Sequence, residues 1–209
     1  AQESRGLGDV YKRQRQLHPG IEVIALEASD SEVEDLLAAG TVDVGVVLNP
    51  PARRDACPLG ADDWVAVLPA AHPLALGASV PLAQLAAQPF VLATGGCTAH
   101  AGSVAADAGL ALTDVRARVM EWSSAFALVR DNVGVALVPE LTLPENRRGL
   151  RVLPLAAPVQ RRFALAASDQ ARDAPAVQAL FDMLRRDDSP GRAPRSRAVH
   201  GHRADMTPL

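Results

Sequence analysis

A chain of 209 residues with 48% hydrophobic content has enough material for one large domain or two small ones with a buried core. A formal net charge of −3 gives no ground for a nucleic-acid-binding surface, and no apolar run approaches the ~20 residues of a membrane span. Two cysteines, Cys57 and Cys97, lie far apart without paired spacing, which excludes a disulfide framework or a zinc site and suits a reducing cytoplasm.

Aromatic residues make up only 3% of the chain, so the core has to be built from Ala, Val and Leu. The first fourteen residues differ in character from the rest. Tyr11 and Lys12, unique in the sequence, fall within Asp9 to Gln14, a hexapeptide that resembles the translation of a sequencing-library transposon end. Residues 1–14 are therefore expected to be non-native and disordered, and they carry no secretory pattern.

From Arg15 the elements follow in order. His18, Pro19 and Gly20 predict a turn, and Ile21 to Leu26, rich in β-branched residues, predicts a strand. Ser29 or Asp30 caps a helix with Glu32 and Glu34 in its first turn, Val33, Leu36 and Leu37 as its apolar stripe, and Gly40 at its end. Asp43 to Leu48 reads as a strand covered on both faces. Strand, helix and strand of these lengths predict a right-handed crossover and a parallel pair, hence an α/β fold.

Trp64 to Leu68 predicts a buried strand closed by Pro69, His72 and Pro73 a turn, and Val80 to Leu85 a short helix opened by Pro81. Phe90 to Ala93 predicts a strand leading into Thr94 to Thr98, with a helix from about Thr98 to Ala108 stopped at Gly109. Val115 to Met120 predicts another strand, and Trp122, Ser123 and Ser124 lead into a helix. Val129 to Glu140 (VRDNVGVALVPE) then gives the end of that helix, a turn at Asn132 and Gly134, and an apolar strand stopped by Pro139. Leu150 to Leu155 and Arg162 to Ala167 predict two more strands, and Pro175 to Arg186 an amphipathic helix. Residues 187–209, rich in Pro, Gly, Ser and Arg, read as a disordered tail.

Three of these segments carry a resemblance. Pro19 and Gly20 with Ile21 to Leu26, followed by Gly40 to Val46 (GTVDVGV), resemble the P-G-V strand and G-x-L-D-L-A segment of LysR-type transcriptional regulators. His72 to Ala75 (HPLA) with Val80 to Leu85 (VPLAQL) is similar to the family's H-P-L-A and L-x-D-L segments. Val129 to Glu140 is similar to its L-V-x-x-G-x-G-V-A-L-L-P-E unit. The resemblance implies two Rossmann-like subdomains of periplasmic-binding-protein type II with a ligand cleft between them. The first would take residues 15–69 and 161–186, lacking its first strand, and the second residues 70–160.

The implied function is effector sensing for transcription control, with a small-molecule co-inducer as partner. It further implies a homodimer or homotetramer of the full-length protein, DNA contact only through an N-terminal winged helix-turn-helix absent from this sequence, no membrane, and a cytoplasmic location. No enzyme activity, cofactor or metal is expected.

The residues agree on where a ligand would sit. Parallel sheets place ligands beyond the carboxyl ends of their strands, where loops meet helix N-termini with free N–H groups. Three such junctions occur, at Glu27 to Ser31, Thr94 to Thr98 and Glu121 to Ser124. The candidate effector-binding residues are Ser29, Asp30, Ser31, Thr94, Gly95, Gly96, Cys97, Thr98, Trp122, Ser123 and Ser124. Asp30 stands where the family pattern often has Ser or Thr. A carboxylate there repels an anion, which means a neutral or amino-bearing effector, or else a plain helix N-cap.

Other readings stay open at this level. A periplasmic solute-binding protein shares the architecture. Cys97 at a helix N-terminus with His100 three residues on would suit a thiol nucleophile or redox sensor. His200 and His202 would be weak metal ligands in a tail, and the pairs Asp62 with Asp63 and Arg53 with Arg54 read as a solvated loop face.

Overall fold

The computed structural model describes residues 19–187. The expected non-native segment 1–14, His18, and the expected tail from residue 188 onward, with His200 and His202, lie outside those residues. Helix α1 (Asp30–Ala38) opens on a reciprocal cap: the Ser29 hydroxyl accepts from the Glu32 backbone N–H, and the Glu32 carboxylate accepts from the Ser29 N–H at 2.8 Å. Ser29, and not Asp30, is therefore the N-cap. Leu37 is the buried residue of the helix, and Gly40 beyond it turns with φ +67°.

Strand β1 (Val44–Leu48) pairs antiparallel with β7 (Gln160–Ala167), and β7 pairs antiparallel with the first half of β2 (Ala56–Pro69). Two of the sequence expectations change here. Residues 21–26 are not a strand, and the parallel pair they were to form with residues 43–48 is absent. β-Branched composition favours extended backbone, but none of the described strands takes this segment as a ladder partner. Its Ile24 and Leu26 side chains are 80% and 65% exposed.

The second half of β2 changes partners. Residues Trp64–Val67 pair with β5 (Ala136–Pro139), and Val65–Pro69 pair on the other edge with β6 (Leu150–Pro154). Beyond β5, Phe90 of β3 (Pro89–Ala93) bridges in parallel to Val135, and β3 pairs in parallel with β4 (Asp114–Val119). The resulting order is β4, β3, β5, β2, β6. Helix α2 (Leu82–Ala86), helix α3 (Ala101–Asp107) and helix α4 (Trp122–Arg130) cover this sheet. A 3-10 turn at Pro73–Leu76, capped by His72 Nδ1, stands where the turn was expected.

Both faces of the second sheet are packed, which is why Trp64 to Leu68 lacks the polar alternation of a half-exposed strand. Trp64, Ala66 and Leu68 point to one side with Phe90, Leu92, Leu137 and Leu153. Val65 and Val67 point to the other with Val91, Phe126, Val129 and Val138. Gly134 sits between the layers where β5 meets β3. A Cβ there would lie 2.5 Å from the Pro89 carbonyl oxygen, so only glycine lets the two backbones approach. The first sheet is covered by α1 through Leu37, Val47, Ala164 and Ala166, and by α5 (Pro175–Asp187) through Val177, Phe181, Cys57 and Leu165.

The two strand groups meet at one buried ion pair. Asp62 and Arg161 face each other across the β2–β7 ladder, with Arg161 Nη2 donating to Asp62 Oδ2 at 2.8 Å and side chains only 1% and 9% exposed. The second Asp62 oxygen accepts from the Leu141 N–H at 3.1 Å, and the guanidinium lies 4.8 Å over the Phe163 ring. Asp62 is therefore not part of a solvated loop face. Asp63 beside it is the outward residue and accepts from Gln160. Arg54 does meet solvent, with Glu34 as its partner at 2.6 Å.

Asp62→Asn should cost about 3–5 kcal/mol of unfolding free energy, because it leaves the Arg161 charge buried without its counter-ion. The joint change Asp62→Leu with Arg161→Met should recover most of the loss. Urea denaturation of the wild type and the two variants checks this, and a loss below about 1 kcal/mol in Asp62→Asn would contradict it.

Candidate functional site

The site grows from the loop between β3 and α3. After Ala93 the chain makes a tight turn in which Gly95 and Gly96 both take left-handed φ, +61° and +72°. The Thr94 hydroxyl accepts from the Gly96 N–H at 3.3 Å, and the Cys97 N–H closes the turn on the Thr94 carbonyl at 3.0 Å. Residues 97 to 99 run on without helical bonding, His100 is the N-cap, and α3 begins at Ala101. The expected helix start at Thr98 is thus moved three residues on. His100 is the reason: its Nδ1 accepts from the Gly102 N–H at 3.0 Å and the Ser103 N–H at 3.4 Å, while the Ser103 hydroxyl accepts from the His100 N–H. His100 is a cap, and its acceptor nitrogen is spent on the backbone.

Gly95 packs under Trp122, the first residue of α4, so the expected residues Gly95 and Trp122 form one contact. A Cβ on Gly95 would strike Cζ2 of the indole, whereas a Cβ on Gly96 would meet nothing within 4 Å. Ser123 and Ser124 are exposed on the first turn of α4. They share the expected junction but make no hydrogen bond with the other candidate residues.

Asp30 reaches this loop from the other strand group. Its two carboxylate oxygens each accept from the Thr98 backbone N–H at 3.0 Å, and Oδ2 also accepts from the Thr98 hydroxyl. Oδ1 accepts from its own neighbour, the Ser31 N–H, at 2.9 Å, and the Ser31 and Ser29 hydroxyls lie 3.3 Å apart. Of the residues expected at the site, Asp30, Cys97 and Thr98 come together, with Ser29 and Ser31 alongside. The carboxylate belongs to the cleft contact, which a plain N-cap reading of Asp30 misses.

The electrostatics follow from these contacts. Partial burial pushes the Asp30 carboxyl up, but hydrogen bonds from the Thr98 hydroxyl and amide, the Ser31 amide and the Ala99 amide outweigh it and hold the group below its ordinary value. Cys97 moves the other way. Burial and the Asp30 carboxylate raise the thiol, against the Asp30 backbone N–H and the Arg161 charge, which pull it down. The thiol is thus held in its protonated form even though the first N–H of α1 reaches it, and His100 is engaged on the Gly102 and Ser103 amides instead of facing it. Arg161 is the residue the sequence reading missed. Its charge reaches the Cys97 thiol, and its Nε is buried without a partner. No spacing in the sequence signals it, because its position follows from the β2–β7 register alone.

Gly95→Ala should cost roughly 2–4 kcal/mol from a strained φ and a displaced Trp122 ring, and Gly96→Ala only about 1 kcal/mol from φ alone. Chemical denaturation of the two variants should separate them by at least twofold. The Asp30 contact has a depressed carboxyl pKa, so its stabilisation is full above the unfolded value and is lost as pH falls through the folded one. Chemical shifts of the Thr98 amide should therefore hold steady from neutral pH down to about pH 4 and move only below it.

Residues 4–189 match the family model for the LysR substrate binding domain. The chain is 30% identical over 174 residues to the probable HTH-type transcriptional regulator LrrA of Synechococcus elongatus, covering 82% of this chain and 58% of that protein. It is 27% identical over 129 residues to the uncharacterized HTH-type transcriptional regulator YvbU of Bacillus subtilis, covering 62% of this chain and 44% of that protein. The chain thus spans about half the length of these curated relatives. Among solved structures it superposes on the Synechocystis PCC6803 CcmR regulatory domain in complex with 2-PG, with TM-score 0.72 and 18% identity over 90% of this chain and 93% of that one. The BenM effector binding domain with its effector benzoate gives TM-score 0.68 and 20% identity over 87% and 85%. These likenesses establish the fold, an α/β architecture of periplasmic-binding-protein type II, and with the family match they show that the chain belongs to the LysR family of transcriptional regulators as its substrate-binding domain.

Proposed function

We propose that this chain is the effector-sensing part of a DNA-binding LysR-type regulator, and that a small molecule held between its two lobes alters transcription. The lobes correspond to the expected residues 15–69 with 161–186 and residues 70–160, with the second half of β2, Trp64–Pro69, lying in the sheet of the second lobe, so that β2 and the chain entering β7 are the two crossings. The reading rests above all on one observation: Asp30 at the start of α1 and Thr98 in the β3–α3 loop, from opposite strand groups, face each other at hydrogen-bonding distance. These are loops picked out from the sequence as ligand-bearing, one from each lobe. BenM, similar in fold, has benzoate as its effector, and a ligand of comparable size is the expectation here.

Binding between the lobes would change their relative angle, and the full-length protein, as a homodimer or homotetramer in the cytoplasm, would pass that change to its DNA-binding heads. The contacting residues would be Ser29, Asp30, Ser31, Thr94, Gly95, Gly96, Cys97, Thr98, Trp122, Ser123 and Ser124. His100, the base the sequence offered to Cys97, spends its Nδ1 on the Gly102 and Ser103 amides, which supports a binding role for this loop. A ligand present at 100 times its dissociation constant adds about 2.7 kcal/mol of stability. Thermal-shift screening of the chain against a library of small metabolites should therefore reveal at least one that raises the melting temperature by several degrees, and Thr98→Pro should abolish that response. A library-wide absence of stabilisation would remove the support for sensing.

A further inference from the structure

We propose that Asp30 is an internal ligand of the cleft: its carboxylate latches the two lobes together through Thr98 and occupies the donors that an anionic effector would need. The latch needs no effector to exist, and only the competition rests on the effector reading above.

The geometry separates Asp30 from its own helix. Capping of α1 is already done by Ser29 and Glu32, which satisfy each other's backbone N–H groups. Asp30 is the first helical residue, and apart from the Ser31 N–H its carboxylate is turned outward, to a residue 68 positions away in sequence. There it meets the Thr98 N–H with both oxygens and the Thr98 hydroxyl with one, and the Ala99 N–H adds a further bond. A carboxylate accepts about four hydrogen bonds, so this one is saturated. A small organic acid entering the cleft would find those donors taken and a like charge beside them.

The same contact is suited to opening. Thr98 is exposed and Asp30 only partly covered, so water can replace each bond as the lobes part. Serine or threonine in place of Asp30 would still allow α1 to start on its Ser29 cap but would leave the Thr98 and Ala99 amides free for a ligand. Asp30 is thus a specificity-determining residue that keeps the resting cleft closed and selects against small carboxylates.

Amide hydrogen exchange at Thr98 and Ala99, followed by NMR in the full 209-residue chain, tests the latch in wild type, Asp30→Asn and Asp30→Ser. Exchange at both amides should quicken about tenfold in both variants, the scale of one charge-assisted hydrogen bond at an exposed site, while Val67 in β2 stays protected. Thermal unfolding is recorded alongside, and Asp30→Asn, which keeps the side-chain shape, carries the comparison where Asp30→Ser lowers stability. Unchanged exchange at Thr98 would overturn the latch. Acetate titrated into the same samples should slow Thr98 exchange in Asp30→Ser at concentrations at least tenfold lower than in wild type. Equal protection in the two, or protection in neither, would overturn the competition. A fruitless metabolite screen leaves the exchange result untouched, so failure of the sensing reading and failure of the latch are told apart.

Discussion

The Asp62–Arg161 pair is the constraint on which both halves of this molecule depend. Among the described strands β2 runs through both groups, and the pair sits in its ladder with β7 just before β2 changes partner. A charge pair with 1% and 9% side-chain exposure gains little net energy over an apolar substitute, because desolvation offsets the attraction. What it fixes is register. A one-residue slip of β7 against β2 would leave both charges buried without partners, a penalty of several kcal/mol that an all-apolar ladder would not impose. Asp62 also holds the Leu141 N–H, so the turn after β5 is tied to the same point.

Everything in the cleft inherits its position from that register. The second sheet places β3 beside β5 through the close approach at Gly134, and β3 in turn delivers the glycine turn and Thr98. The first sheet carries α1 on Leu37, and α1 delivers Asp30. The contact between them is made of exposed or half-exposed groups and is weak by comparison with either core. In that ordering of strengths, with each sheet held by its own core and a light contact across the gap, the Asp30–Thr98 contact is the one that parts at least cost.

Much of the second sheet was legible in the sequence because its strands are short, apolar and punctuated. Val135 to Val138 between Asn132 and Pro139, and Phe90 to Ala93 before two glycines, each carry their own stop signals. The misreadings came where pairing or capping was decided by distant residues. Ile21 to Leu26 has strand composition but pairs with none of the described strands. The start of α3 moved from Thr98 to Ala101 because a histidine, a rare cap, out-competed the threonine through Ser103. Asp62 and Asp63 look alike in sequence, yet the strand alternation buries one and leaves the other half-buried. The site residues were found in outline, since loops after strands are where ligands gather. Their mutual contact was not, because 68 residues separate Asp30 from Thr98.

Asp30 shows why the first turn of a helix at a cleft is a place to set specificity. The N-terminus of α1 offers partial positive charge, which by itself would welcome an anion. A carboxylate placed one residue inside the cap cancels that charge and extends negative charge toward the opposite lobe. The cap itself is indifferent to the choice, since Ser29 and Glu32 complete it without Asp30. Selection at residue 30 is therefore free to vary with the ligand while the helix start stays fixed. Cys97 feels the result directly: burial and the Asp30 carboxylate raise its thiol, while the Arg161 charge that opposes them is buried and already paired with Asp62, so the negative group is the one left facing the gap.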